Sequence, residues 1–437
     1  MRSPPHLSAP LTLPNGQTIA NRIAKAAMTE GLADTNAYPS PALERLYAQW
    51  AHSGCGVLIT GNVMIDRQHL ERPGNVVIDC VPDAAMRTAL SAWARAAQSG
   101  GARIWMQISH SGRQTQVTVN PHPKAPSAIK LGLPGKQFGM PQALTEAEIL
   151  ELIERFANAA RVARDTGFDG VQLHAAHGYL LSSFLNPRAN QRRDAWGGSL
   201  ENRARMLLET VKAVRAKTGN DFTLTVKLNS ADFQKGGFAF ADCTQVVNWL
   251  AQHQVDLIEI SGGNYEQARM MDLEGIEEPD LSGLPPSTKA REAYFADFAA
   301  QMLTDVSVPV MVTGGFRSAV AMESAVADDG IAMIGIGRPM CVDTRCVQKL
   351  LRGEITQLER WEKRLRLGPG WLGPRSPFNI VKMLNGFGAL YWFYQQFRRI
   401  GRGQAVARNL SVFSALRSEL KEQQNWLLAA SSRGLKT

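Results

Sequence analysis

The sequence predicts an α/β protein with a (β/α)8 fold, a TIM barrel, followed by a mainly helical C-terminal extension. Short apolar runs rich in β-branched residues recur eight times, and each is followed by a loop and then by a stretch with apolar residues at helical spacing. Eight such units suit this fold, which takes about 200 to over 400 residues. A doubly wound open sheet is the alternative architecture.

The predicted elements follow one another regularly along the chain. The strand candidates are residues 23–28, 57–64, 103–110, 170–175, 222–229, 257–262, 308–314 and 332–338. Thr145 stands three residues before Glu148, which is the spacing of a capping box at a helix start. Glycines occur where helices should end before the next strand, namely at Gly54, Gly100, Gly167, Gly219 and Gly330. We predict a barrel domain over residues 1–366 and an extension over residues 367–437.

Composition and charge exclude several classes of protein. The five cysteines are scattered and never form a C-x-x-C pair, which argues against a disulfide framework, a zinc site and an iron–sulfur cluster. The first residues contain no apolar core typical of a signal peptide, so a cytoplasmic location is expected. From residue 375 onwards, ten Lys or Arg stand against two acids, a balance of +8 out of the net +9. The nearly neutral body therefore predicts no nucleic-acid partner.

The basic extension has two interpretations. Its aromatic run, residues 386–394, is too short for a transmembrane helix, which needs about 20 apolar residues. Followed by Arg398, Arg399 and Arg402, residues 375–437 could form a peripheral membrane contact. The favoured interpretation is packing on the barrel or across a subunit contact, since exposed aromatic patches mark protein contacts more often. A homo-oligomer is expected.

Residues able to do chemistry gather at the ends of the predicted strands. In this fold active sites lie at the C-terminal ends of the barrel strands. His174, His177 and Tyr179 follow the fourth predicted strand within six residues. The two histidines could share a metal, but no third ligand with matching spacing follows, so we predict none. A purely structural, hydrogen-bonded histidine pair is the other alternative.

Several motifs, in a fixed order, resemble the old yellow enzyme family of FMN-dependent NAD(P)H ene-reductases. The resemblance covers residues 11–352 and rests on Asn21-Arg22, residues 107–113, 174–180, 184–187 and 196–203, Gly314-Gly315 and Gly337-Arg338. The ordered set is more specific than any single motif. From the number of cysteines and the length, we expect a single-domain ene-reductase and not one of the family's larger dienoyl-CoA reductases, which carry an iron–sulfur cluster and a second flavin domain.

The resemblance implies an FMN cofactor and the residues around it. Its ring would lie against Ala26, Ala27, Met28, Thr29, Gly61, Gln107 and Lys227. Its phosphate would meet the backbone at Gly314, Gly315 and Gly337 together with the charge of Arg338, because barrels commonly bind phosphate after strands seven and eight. Many family members carry Arg at the Lys227 position, so Lys227 keeps the charge but gives up the bidentate fork.

The resemblance also implies a ping-pong reaction. NADH or NADPH reduces the flavin and leaves, and an enone, nitroalkene or quinone then takes its place. His174 and His177 would bind the carbonyl or nitro oxygen of the substrate, and Tyr179 would protonate the α-carbon. Residues 368–373 match G-x-G-x-x-G literally, but they follow no predicted strand and are rejected as a dinucleotide site.

Two further expectations complete the sequence-based account. The alternative function is a flavin-free (β/α)8 aldolase or isomerase that uses Lys227 as a Schiff-base amine. The long segment 114–143 is expected to form part of a substrate lid, because loops at the mouth of this fold carry discrimination between substrates.

Overall fold

The computed structural model describes residues 6–133, 136–263, 265–266 and 295–432. The strands are β1 (Leu11–Thr12), β2 (Thr18–Ile19), β3 (Ile23–Lys25), β4 (Val57–Ile59), β5 (Val63–Met64), β6 (Val76–Val77), β7 (Arg103–Ser109), β8 (Lys124–Ala125), β9 (Gln142–Ala143), β10 (Gly170–Ala175), β11 (Thr223–Asn229), β12 (Leu257–Ser261), β13 (Val310–Thr313) and β14 (Met333–Ile336). The helices are α1 (Pro41–Ala51), α2 (Ala84–Gln98), α3 (Glu146–Asp165), α4 (Leu180–Leu185), α5 (Leu200–Thr218), α6 (Phe240–Gln252), α7 (Ala296–Met302), α8 (Ala319–Ala327), α9 (Cys346–Leu351), α10 (Asn379–Gly401) and α11 (Val412–Ser432).

Eight parallel strands close into a barrel. The order is β10, β11, β12, β13, β14, β3, β4 and β7, and pairing between β7 and β10 completes the circle. The predicted (β/α)8 fold is therefore confirmed, and the open-sheet alternative is wrong because an open sheet would leave two unpaired edge strands.

Most barrel strands start close to where the sequence predicts but end earlier, at the mouth. The fourth predicted strand has the expected bounds, whereas the predicted strand 57–64 is two strands, β4 and β5. Between them the Thr60 hydroxyl oxygen accepts the backbone N–H of Gln107 at 2.9 Å, so a side chain replaces a ladder bond. β5 continues instead beside β6 and β7.

The helix boundaries follow the predicted signals. The capping box is confirmed, since the Thr145 side chain accepts the N–H of Glu148 and the Glu148 carboxylate accepts the N–H of Thr145. Four of the five predicted glycines, Gly54, Gly167, Gly219 and Gly330, have positive φ. At Gly100 the reason is different, because a Cβ there would collide with the carbonyl of Ala51.

A hairpin that the sequence did not reveal closes the amino-terminal end of the barrel. β1 and β2 pair antiparallel ahead of the first barrel strand. Leu13 and Ile19 pack against Trp105 in a separate apolar cluster, and the Trp105 indole N–H donates to the Gln17 side chain at 3.1 Å. With this end covered, the carboxyl ends of the strands form the mouth.

The two helices of the extension pack on the barrel. α10 contacts both α11 and α1, and the Phe397 ring lies 5.4 Å from the Trp50 ring. Tyr391, Trp392, Phe393 and Tyr394 are all buried, whereas Trp371 and Phe378, which precede them in the extension, are exposed. Among the described residues, no helix has the length and hydropathy needed to cross a bilayer. Residues 433–437 of the predicted extension lie outside the described residues.

Candidate active site

His174, His177 and Tyr179 lie together at the mouth of the barrel. The imidazole centroids are 5.1 Å apart, and the Tyr179 ring lies 4.7 Å from that of His174. His177 has a left-handed backbone with φ 63°, and its N–H donates to the side chain of Asn229 at 3.0 Å. The bond from β11 thus holds a conformation that is otherwise costly for a residue with a Cβ.

Each of the two imidazoles offers one donor. Burial lowers the pKa of both histidines well below the ordinary value, and the charge of Lys227 acts in the same direction, so both rings are neutral. The Nδ1 atom of His174 accepts the N–H of Ala176 at 3.3 Å, which places its proton on Nε2. The Nε2 atom of His177 lies 2.7 Å from the Ser261 hydroxyl, and if that hydroxyl donates, Nδ1–H is the remaining donor.

The Tyr179 phenol has a partner that the sequence did not reveal. Its hydroxyl lies 2.9 Å from that of Tyr265, which follows β12. Gln114 joins the two loops, because its side chain accepts the Tyr265 N–H at 3.4 Å and donates to the His177 carbonyl at 2.9 Å. Burial raises the pKa of Tyr179 well above its ordinary value, so the phenol keeps its proton.

A chain of buried polar side chains lies within the barrel. The Gln107 amide donates to Gln172 at 2.7 Å, and Gln172 donates to the Glu259 carboxylate at 2.8 Å. The other oxygen of Glu259 lies 2.8 Å from the Lys227 ammonium. Lys227 therefore has a buried counter-charge. Gln172 and Glu259 were missed, although a polar residue within an otherwise apolar strand is a usable signal.

The segment carrying Ala26, Ala27, Met28 and Thr29 leaves β3 along the wall of the mouth. The Ala26 N–H donates to the Ile336 carbonyl at 2.9 Å, and the Thr29 hydroxyl accepts from the Asn62 side chain at 3.3 Å. Gly61 packs directly on this segment, because a Cβ there would collide with the Met28 carbonyl and the Glu30 carboxylate. Glycine is therefore needed at position 61 for close packing against the segment 26–30 of the protein itself.

A buried ionic cluster supports the same segment from behind. The Lys25 ammonium donates to the Ile59 carbonyl at 2.6 Å and lies 3.7 Å from the Glu30 carboxylate. That carboxylate also accepts the Gly61 N–H at 3.0 Å and the Tyr47 hydroxyl at 2.5 Å. Burial lowers the pKa of Lys25 to about 8, although Glu30 opposes this shift.

Glycines after β13 and β14 form a cradle suited to a phosphate. Gly314 and Gly315 have φ of 110° and 86°. Among the described residues, a Cβ at Gly314 would meet Phe295, at 3.9 Å, and one at Gly337 would meet Met28. Because β13 and β14 are neighbours, the glycines after β13 and the Gly337-Arg338 pair after β14 lie at adjacent strand ends. This donor set fits the phosphate of FMN.

A second group of ionisable residues, Asp66, His69 and His110, has ligand atoms within 4.8 Å of one another. The Nε2 atom of His69 accepts the Lys124 N–H at 2.8 Å, so its proton is on Nδ1, which lies 2.9 Å from the Asp66 carboxylate. With one nitrogen accepting and the other protonated, His69 offers no lone pair to a metal ion. The group is better described as a hydrogen-bonded brace between loops.

The closed (β/α)8 barrel has glycines after its last two strands and two histidines beside a phenol at its mouth, an arrangement that suits a flavin-dependent oxidoreductase. The profile of the NADH:flavin oxidoreductase / NADH oxidase family matches residues 6–357. The chain belongs to this family, the old yellow enzymes. Its cofactor is FMN, and its reductant is a reduced nicotinamide dinucleotide.

Individual relatives agree with this membership. NADH-dependent flavin oxidoreductase iliE of Hypocrea jecorina (strain QM6a) is 36% identical over 356 residues, covering 77% of this chain and 87% of that protein. 2-Naphthoyl-CoA reductase, solved with 2-naphthoyl-CoA, superimposes with a TM-score of 0.71 at 25% identity, covering 81% of this chain and 53% of that one. The old yellow enzyme homologue of Zymomonas mobilis shares the fold, with a TM-score of 0.65, 24% identity, and 81% and 94% coverage.

The alternative of a flavin-free aldolase or isomerase is therefore wrong. Family membership assigns a flavin, and the Lys227 side chain is engaged in a buried ion pair with Glu259 at 2.8 Å.

Proposed function

We propose that this chain reduces activated C=C bonds of α,β-unsaturated carbonyl or nitro compounds, using NADH or NADPH in a ping-pong cycle. The observation that carries the proposal is the convergence of His174, His177 and Tyr179, all neutral, on one face of the mouth. Two N–H donors and one phenol are the groups that this chemistry requires. Quinones are a further substrate class with the same carbonyl oxygen.

The cofactor would be held by residues from several strand ends. We assign the flavin ring to Ala26, Ala27, Met28, Thr29, Gly61, Gln107 and Lys227, and the phosphate to Gly314, Gly315, Gly337 and Arg338. Bound FMN supplies the hydride that reaches the β-carbon. Lys227 would contribute positive charge next to the ring, and Glu259, 2.8 Å from its ammonium, would offset part of that charge.

The chain's own residues would complete the reaction. His174 and His177 donate to the substrate oxygen and stabilise the negative charge that develops there as the β-carbon receives hydride. Neutral donors suit this task, since a neutral imidazole gives up no proton to the oxygen at ordinary pH. Tyr179 then passes its hydroxyl proton to the α-carbon. Tyr265, 2.9 Å from that hydroxyl, orients it and is a positioning residue.

A substrate panel tests the proposal. Purified protein would be mixed anaerobically with NADH or NADPH and with cyclic enones, nitroalkenes or quinones, and nicotinamide oxidation would be followed. We expect saturable turnover with enones and the saturated ketone as product. Turnover with quinones or oxygen alone would leave the family assignment intact but would contradict the proposed C=C reduction.

We further propose that the extension, residues 367–437, forms a subunit contact in a homo-oligomer. The start of α10 and the turn before it expose apolar side chains, namely Trp371, Phe378, Ile380 and Leu384. Light scattering after gel filtration would show a dimer or larger species that Phe378→Ser with Ile380→Ser converts to monomer. A monomeric parent protein that sediments with anionic vesicles would overturn this in favour of membrane binding.

A further inference from the structure

The side chain of Asn229, at the end of β11, joins the two loops that carry the phenols of the site. Its Oδ1 atom accepts the backbone N–H of His177 at 3.0 Å, and its Nδ2 atom donates to the carbonyl of Gly263 at 2.9 Å. His177 stands two residues before Tyr179 in the loop after β10. Gly263 stands two residues before Tyr265 in the loop after β12. One buried amide therefore connects both loops.

A second buried amide, that of Gln114, connects the same two loops at the neighbouring peptide groups. It donates to the carbonyl of His177 at 2.9 Å and accepts the N–H of Tyr265 at 3.4 Å. Asn229 and Gln114 together thus bond both polar backbone groups of His177. Because the backbone of this residue is left-handed, with φ 63°, these bonds fix the direction of its imidazole and of the chain that leads to Tyr179.

Asp232 holds the Asn229 amide in one orientation. The Nδ2 atom of Asn229 donates to Oδ1 of Asp232 at 2.7 Å, and the other carboxylate oxygen accepts the N–H of Phe238 at 3.4 Å. Burial raises the pKa of Asp232 to about 6, so at neutral pH the group is ionised and can only accept. Since the His177 N–H can only donate and the Gly263 carbonyl can only accept, a single orientation of the amide satisfies all three partners.

We propose that Asn229, oriented by Asp232, is a positioning residue that sets the place of the His177 imidazole relative to the Tyr179 phenol. This inference rests on the proposed function, in which His177 binds the substrate oxygen and Tyr179 protonates the α-carbon. In an enone the α-carbon is two bonds from that oxygen, so both groups must be placed correctly at the same time. A misplacement of about 1 Å in such an arrangement can cost about 100-fold in rate.

The test compares Asn229→Leu and Asp232→Ala with the control Asp256→Ala. Asp256 is an equally buried carboxylate beside the same two strands, but it lies at the opposite end of the barrel. There it accepts the N–H of Leu224 at 2.8 Å and pairs with Arg215 at 2.8 Å. For each holoenzyme, FMN content is measured first. Anaerobic stopped-flow absorbance then gives the rate of flavin reduction by NADH and the saturating rate of flavin reoxidation by 2-cyclohexenone.

We expect Asn229→Leu to slow reoxidation by the enone by about 10–100-fold. Any slowing of flavin reduction should be smaller by about tenfold or more, because the enone step alone needs the oxygen donor and the phenol together. Asp256→Ala should lower the melting temperature but leave the ratio of the two rates unchanged, since its loss is structural. Equal slowing of both steps in Asn229→Leu, or an unchanged enone step, would overturn the inference.

The double variant of Asn229→Leu and Asp232→Ala tests whether Asp232 acts through Asn229. If it does, Asp232→Ala slows the enone step in the parent protein but causes no further loss in Asn229→Leu. Losses that multiply would contradict this route. If Asn229→Leu failed to retain FMN, Asp232→Ala alone would decide, because it must slow the enone step more than flavin reduction. Failure of the proposed function would look different, since the parent protein would then not reduce the enone.

Discussion

At the scale of single residues, the left-handed backbone of His177 sets the arrangement of the mouth. Asn229 accepts its N–H, Ser261 contacts its ring, and Gln114 donates to its carbonyl. The ends of β11 and β12 and the turn after β7 therefore hold one residue. Preorganised donors of this kind stabilise developing charge without having to reorient during the reaction.

The proposed proton donor gives the first prediction at this scale. Tyr179→Phe removes the acidic proton but keeps the ring, so enone reduction by the reduced enzyme should slow by roughly 10²–10⁴-fold. Reduction of the flavin by NADH should be unaffected, because that step needs no proton from Tyr179. Anaerobic stopped-flow absorbance measures both steps. As a control, Tyr265→Phe leaves the Tyr179 hydroxyl in place and should slow enone reduction less. If Tyr179→Phe slowed flavin reduction and enone reduction equally, the assigned role of Tyr179 would be contradicted.

The buried pair of Lys227 and Glu259 gives a second prediction. Glu259→Gln keeps the shape and the acceptor for Gln172 but removes the counter-charge of Lys227. The unpaired cation should stabilise the reduced, anionic flavin and raise its midpoint potential, whereas Lys227→Met should lower it. Spectroelectrochemical titration of the holoenzymes measures both shifts. An unchanged or lower potential in Glu259→Gln would show that the lysine charge does not act on the cofactor.

At the scale of elements, the attachment of the extension depends on one carboxylate. Burial alone would raise the pKa of Glu419, but Arg72 and Arg398 hold it down at about 2. In the unfolded chain this carboxyl titrates near its ordinary value of about 4.3. A depressed folded pKa means that its contribution to stability is complete above that value and disappears as pH falls towards 2.

We therefore expect α10 and α11 to lose protection against hydrogen exchange as pH falls between about 4 and 2, earlier than the barrel. Glu419→Gln should destabilise the protein at neutral pH by about 3–5 kcal/mol, because it removes the carboxylate partner of the buried Arg72 and leaves Arg398 with only a 4.0 Å contact to Glu422. Glu422→Gln is the control on the same helix, since its pair with Arg402 is exposed and its contact with Arg398 is long, at 4.0 Å, so that it should contribute less than about 1 kcal/mol. Equal effects of the two variants in urea unfolding would refute this role of Glu419.

The elements also show which features can be predicted from sequence. Strand order and strand starts follow from apolar β-branched runs, which is why β10 has its predicted bounds. The ends of the strands at the mouth cannot be predicted in this way, because side chains such as Thr60 replace backbone hydrogen bonds there. The position of α10 depends on contacts between Arg72 and Glu419, which are 347 residues apart, and no local pattern encodes that distance.

Some residues of the candidate site can also be predicted from the sequence, and others cannot. His174, His177 and Tyr179 could be predicted together because they lie within six residues after one strand, and the structure brings their rings into contact. Glu259 carried a signal as a charge inside an apolar strand. Tyr265 carried none, because its nearness to Tyr179 arises only when β10 and β12 enter the same barrel.

At the scale of the whole molecule, both acids of the extension are paired within it, since Arg398 pairs with Glu419 and Arg402 pairs with Glu422. The glycines after β13 and β14 and the histidines at the end of β10 lie at the same end of the barrel, and the hairpin of β1 and β2 closes the opposite end. All the assigned chemistry is therefore located at a single entrance.

The most direct test of enone reduction is a single-turnover measurement. Enzyme reduced with one equivalent of NADH in the absence of oxygen would be mixed with 2-cyclohexenone while flavin absorbance is recorded. We predict that the oxidised flavin spectrum returns at a rate that saturates with enone concentration, with one equivalent of cyclohexanone formed. A flavin that stays reduced until oxygen or a quinone is added would contradict the proposed function.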